Sequence, residues 1–91
     1  MCGITALLGK SCSNVLIDSL KQLQNRGYDS AGISTISLKN SFVLDKYAST
    51  DSKSAIDLLE ENLDIHKDNF NGIAHTRWAT HGPKNDVNSH P

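Results

Sequence analysis

A cysteine at position two opens the chain as Met1-Cys2-Gly3-Ile4. Methionine ahead of a small side chain is normally trimmed during biosynthesis, and its loss leaves Cys2 with an α-amine of its own. One residue then carries both a thiol and an amine able to take its proton. An N-terminal amine activates the hydroxyl of an N-terminal threonine in the same way. Reference pKa values of ~8.5 for a thiol and ~7.7–8.0 for an α-amine let both groups exchange protons close to neutrality. A cysteine can equally serve as a small buried hydrophobe, so Cys2 gains weight only from what accompanies it.

Two further segments accompany it. Arg26-Gly27-Tyr28-Asp29-Ser30-Ala31-Gly32 has a structural reading of its own, with Gly27 ending a helix and Asp29-Ser30 making a turn. His75-Thr76-Arg77-Trp78-Ala79-Thr80-His81-Gly82 offers more chemistry. Arg77 at a strand end presents a planar fork that binds a carboxylate through two parallel hydrogen bonds, which lysine does not reproduce. Thr80 and His81 on the adjoining loop supply hydrogen bonds to the same ligand, and Trp78 serves either as a cover or as core. A metal site built from His75, His81 and His90 is disfavoured, because no Cys or carboxylate stands at the usual ligand spacing.

The elements that must position these residues follow from periodicity. Ile4 to Leu8 is a short apolar run closed by Gly9, which predicts a buried strand. Ser13 and Asn14 are capping residues, and Leu16, Leu20 and Leu23 recur at helical spacing after them, up to Gly27. Residues 32–38 and 41–47 predict a hairpin turning at Lys39-Asn40. Ile56, Leu59 and Leu63 mark a second helix ending before His66. Asn71-Gly72 predicts a turn, and residues 73–79 a strand with Ile73, His75 and Arg77 on one face and Ala74, Thr76 and Trp78 on the other. From Thr80 to Pro91 the pattern is that of a polar loop. The class is α+β with an antiparallel hairpin, in one small domain, and the ending after a strand reads as a chain cut short.

Nine basic and ten acidic side chains give a formal charge of -1 with no like-charge run, which argues against nucleic acid or a membrane surface as partner. No apolar run approaches the ~18 residues of a membrane span, and no signal peptide is legible. Two cysteines, Cys2 and Cys12, make no disulfide framework, and the expectation is a reducing cytoplasm.

Taken in order, the three segments resemble the glutaminase domain of class II glutamine amidotransferases, which are N-terminal-nucleophile hydrolases; Asn88-Ser89-His90-Pro91 extends the likeness. Tyr28 and Trp78 point to the branch that makes glucosamine 6-phosphate from fructose 6-phosphate, since the amidophosphoribosyltransferase branch carries other residues there. The resemblance implies that Cys2 attacks the side-chain amide of glutamine. Its α-amine, directly or through water, takes the thiol proton and then protonates the departing ammonia. Water hydrolyses the γ-glutamyl thioester to glutamate. Arg77 is implied to clamp the α-carboxylate, with Thr80 and His81 completing that pocket, Arg26 and Gly27 lining the nucleophile, and Trp78 in the loop closing over it.

No cofactor is implied. Fructose 6-phosphate is implied to meet an isomerase domain that these 91 residues lack, in a complete protein that is a homo-oligomer. The implied fold is the N-terminal portion of a four-layer αββα sandwich, with residues 1–91 stopping before the His-Asn-Gly segment that supplies the oxyanion hole. Losing one oxyanion donor costs about 10²–10³ in rate in a well-studied hydrolase, so the chain alone is expected to be inactive. The alternatives are a non-catalytic remnant or partner-binding module, or the glutaminase part of a related class II amidotransferase such as amidophosphoribosyltransferase. Intact Cys2, Arg77, Thr80 and His81 favour the enzyme.

Overall fold

The leading apolar run forms strand β1, Gly3–Lys10, longer than its apolar residues alone suggest. In this computed structural model residues 2–10, 12–23 and 29–78 are described. Gly9 does not close the strand. It sits at φ 138° beside an irregularity in the pairing between Leu7 and Lys10, a conformation that glycine adopts without steric cost. Helix α1 follows at Ser13–Leu23 and buries Leu16, Ile17 and Leu20, the face that the helical spacing predicts. Gly27, the expected helix terminator, lies outside the described residues.

Strands β2, Ser30–Ile36, and β3, Phe42–Ala48, form the expected antiparallel hairpin. Its turn is wider than two residues because Ile36 pairs with Phe42, leaving 37–41 between the strands. Ser37 closes that turn: its Oγ accepts from the backbone N–H groups of Lys39 and Ser41, while Asn40 takes φ 61°. Helix α2 covers Ala55–Glu61, with Ser54 capping it by accepting from the Asp57 N–H at 3.1 Å. Leu63, expected in that helix, instead begins a 3-10 turn, Leu63–His66. Asn62 ends the α-helix, its Nδ2 turned back onto the Leu58 carbonyl at 2.9 Å.

Strand β4, Phe70–Arg77, absorbs the Asn71-Gly72 pair that reads as a turn in the sequence. Asn71 does take φ 48°, but its Oδ1 accepts the Gly9 N–H at 2.9 Å from the neighbouring strand. The pair therefore makes an irregularity inside the strand rather than a reversal. The strand ends at Arg77, two residues before the expected Ala79.

The four strands make one antiparallel sheet in the order β1-β4-β2-β3, so the last strand lies between the first and second. Both helices pack on one face, which carries Leu7, Ala31, Ile33 and Ala74. Gly72 lets α1 come that close: a Cβ there would stand 2.7 Å from Leu16 Cδ1 and 3.0 Å from the Ser34 carbonyl. On the opposite face Ile4, Leu8, Phe42, Leu44 and Ile73 are exposed.

The helix side also holds a polar plug. Asn69 Nδ2 donates to Thr35 Oγ1 at 3.0 Å, and Thr35 Oγ1 lies 2.7 Å from His66 Nδ1. This order assigns Nδ1 as acceptor and places the ring proton on Nε2, which has no partner among the described residues. Burial holds the His66 pKa below its usual value, and the Asp45 charge opposes that only in part.

The unfolded chain therefore binds this proton more readily than the folded one. Stability from neutral His66 is intact above the unfolded pKa of ~6.5 and declines as pH falls through that value toward the folded one. His66→Gln is expected to remove this part of the acid-side slope. Thermal midpoints at pH about 7.5 and about 5 for both proteins check it, and equal slopes would refute it.

Candidate active site

Arg77 closes β4 with strands on both sides of it. Toward β1 the last pair is Gly3 with Thr76, and that register extended by one residue would set Cys2, just ahead of the strand, opposite Arg77. Toward β2, Arg77 pairs with Ser30. Directly paired residues of an antiparallel sheet share a face. Alternation along β4 puts Ile73, His75 and Arg77 on the face away from the helices and Ala74 and Thr76 beneath them, as the period of two predicts. The same alternation, extended one residue before β1, would give Cys2 the face of Arg77.

Two close approaches fix this end of the sheet. A Cβ on Gly3 would lie 2.9 Å from Thr76 Oγ1 and 3.1 Å from Leu23 Cβ, so only glycine lets the end of α1 seat beside Cys2. The Asp29 N–H donates to the Arg77 carbonyl at 3.1 Å, and Asp29 in turn accepts from the Ser49 N–H at 2.8 Å. Leu23 and Asp29, the residues that flank 24–28, are thus both anchored at the Cys2–Arg77 end. Arg26 and Gly27 themselves, and Thr80 and His81, lie outside the described residues.

Exposure divides the described members by task. Cys2 is exposed and carries no disulfide, which suits a thiol that must meet a substrate. Arg77 is only 5% exposed. A guanidinium so shielded attracts a carboxylate more strongly than one in water, where the dielectric and competing hydration weaken the pair. Trp78, just beyond the strand, is 40% exposed. Cys12, by contrast, is fully buried under the first turn of α1, its backbone N–H on the Asn69 carbonyl at 3.4 Å, and burial pushes its thiol pKa up. Of the two cysteines, Cys2 is the one open to solvent.

Sequence reasoning missed two polar groups here. Ser30 Oγ and Thr76 Oγ1 are both buried without a hydrogen-bond partner among the described residues. Ser30 reads as a turn residue until strand pairing sets it beside Arg77. Among the described residues no group of three His, Cys, Asp or Glu stands together as a metal site. Nor is any described helix long and apolar enough to cross a membrane.

No family model matches the chain. Curated proteins do. A glutamine–fructose-6-phosphate aminotransferase (isomerizing) of Cyanidium caldarium is 46% identical over 96 residues, covering 100% of this chain and 14% of its own length. Proteins of the same name from Thermotoga maritima and Pyrococcus horikoshii are each 43% identical, over 94 and 93 residues, with the same coverage of 100% and 14%. The chain thus spans 14% of the length of these relatives. Matched along all of its residues in relatives this diverse, it belongs to the glutamine–fructose-6-phosphate aminotransferase family.

Proposed function

We propose that this chain carries the nucleophile and the carboxylate clamp of a glutamine-hydrolysing domain. That domain releases ammonia to convert fructose 6-phosphate to glucosamine 6-phosphate in the complete protein. What supports the reading is that exposed Cys2 directly precedes β1 and buried Arg77 ends the neighbouring β4, with Gly3 paired to Thr76 between the two strands. Arg77 holds the α-carboxylate of glutamine, and the side-chain amide reaches the Cys2 sulfur. The α-amine of Cys2 takes the thiol proton as the C–S bond forms. It then gives that proton to the departing nitrogen as the C–N bond breaks, leaving a γ-glutamyl thioester and ammonia. Water, deprotonated by the same amine, attacks the thioester and returns the thiol with glutamate.

Arg26 and Gly27 line the nucleophile in this reading, Thr80 and His81 complete the carboxylate pocket, and Trp78 belongs to the covering loop. The exposed apolar face of Ile4, Leu8, Phe42, Leu44 and Ile73 supports the expectation that residues 1–91 are part of a larger layered domain, since apolar surface of this kind is normally covered.

A diazo-ketone analogue of glutamine tests the proposal on the complete protein. It is expected to alkylate Cys2 alone, with loss of glutamate release in step with labelling and protection by glutamine. Cys12, buried and with its thiol pKa raised, is expected to stay unlabelled. Inactivation accompanied by labelling at Cys12, with Cys2 unmodified, would overturn the assignment.

A further inference from the structure

The fold makes no use of the hydroxyl of Ser30. The residue is 1% exposed, and its Oγ has no hydrogen-bond partner among the described residues. A buried hydroxyl without a partner destabilises a fold, and alanine at the same place would not. Such a group is kept at a cost to stability chiefly where something outside the fold is to meet it.

Its position narrows what that partner is. Ser30 begins β2 and pairs with Arg77 on one side and Ala48 on the other. Directly paired residues stand with Cβ atoms about 4.5–5.5 Å apart on the same face, so the hydroxyl lies beside the guanidinium stem, on the side away from Cys2. The other hydroxyl buried here without a hydrogen-bond partner among the described residues, Thr76 Oγ1, faces the opposite way, toward Gly3 and the end of α1. Of these two hydroxyls, that of Ser30 shares the face of the proposed site.

We infer that Ser30 is a substrate-binding residue whose Oγ–H donates to the α-carboxylate of glutamine alongside Arg77. The inference rests on the reading of Arg77 as the carboxylate clamp. A carboxylate offers about four lone-pair directions, and a bidentate guanidinium occupies two of them. A hydroxyl at the neighbouring strand position fills one of the others. Substrate binding then satisfies a group that the unliganded protein leaves unpaired, so the contact favours the bound state twice over.

Steady-state glutamine hydrolysis by the complete protein tests this, with wild type, Ser30→Ala and Arg77→Lys compared. Ser30→Ala is expected to raise KM for glutamine about tenfold, the order of one hydrogen bond to a charged group. The loss appears in KM rather than kcat. The thermal midpoint stays level or rises, because alanine removes a buried unpaired hydroxyl. With glutamine methyl ester as substrate, which lacks the carboxylate charge, the difference between wild type and Ser30→Ala shrinks to within about twofold.

Unchanged KM in Ser30→Ala, while Arg77→Lys weakens glutamine use, sinks the Ser30 assignment alone. A lowered thermal midpoint, or an equal rise in KM for glutamine and its ester, makes the hydroxyl structural and also sinks it. If neither variant alters glutamine use by an active protein, or the complete protein releases no glutamate, the clamp reading falls and the Ser30 contact with it.

Discussion

Cys2→Ala in the complete protein is expected to abolish glutamine hydrolysis, by at least about 10⁴-fold, the order lost when a covalent hydrolase is deprived of its nucleophile. The proposed steps leave no substitute. The thioester needs sulfur, and among the described residues the other cysteine, Cys12, is fully buried on the helix side of the sheet. Cys12→Ala is expected to cost some stability, since it trims a packed side chain, but to leave hydrolysis within a few-fold at moderate temperature.

A second arm of that experiment isolates the amine. If the α-amine of Cys2 moves the proton, an acetyl group on it must stop turnover while the thiol still reacts with small alkylating agents. Mass spectrometry of active protein should show Met1 removed. Full activity from protein that retains Met1 would contradict the mechanism while leaving Cys2 as nucleophile.

The parts of the fold legible in the sequence are the locally encoded ones. Helix α1 announces itself because Leu16 and Leu20 recur at the helical period, and both are fully buried. The hairpin of β2 and β3 is legible because its strands are rich in Ile, Val, Thr and Phe on either side of a polar turn. What stayed hidden depends on contacts between residues far apart in the chain. No local pattern says that β4 inserts between β1 and β2. Asn71-Gly72 has the residue types of a turn, and only the Gly9 N–H arriving from β1 shows why that backbone conformation serves a strand instead.

The site divides along the same line. Cys2 and Arg77 could be picked out by what their side chains can do, and the family resemblance carried by the three motifs implied roles for them. That the strand following Cys2 pairs with the one Arg77 ends is a matter of register, which sequence periodicity does not report. Ser30 shows the limit most plainly. Its residue type suits a turn, and only its pairing with Arg77 and its unpartnered hydroxyl give it any weight. Gly3 likewise reads as one letter of a motif until the approach of Leu23 and Thr76 explains why no side chain fits.

Arg77→Lys should weaken glutamine use in the complete protein by about one to two orders of magnitude, through a rise in KM. The substitution keeps the positive charge and most of the length, so it tests the fork rather than the electrostatics. A buried guanidinium holding a carboxylate makes two parallel charge-assisted hydrogen bonds, each worth roughly 1.5–3 kcal/mol, and an ammonium aligns with only one of them. The loss of one such bond corresponds to about 10–100-fold in affinity. The strand pairing at Arg77 does not depend on its guanidinium. The sheet pairing of Arg77 with Ser30 and its carbonyl contact with the Asp29 N–H, 3.1 Å away, involve main-chain atoms that lysine supplies equally well. Ammonia-dependent synthesis, where the complete protein shows it, bypasses the clamp and is expected to change little. A thermal midpoint several degrees lower with an unaltered KM would mean that the guanidinium serves the core of the sheet and that the carboxylate is held elsewhere.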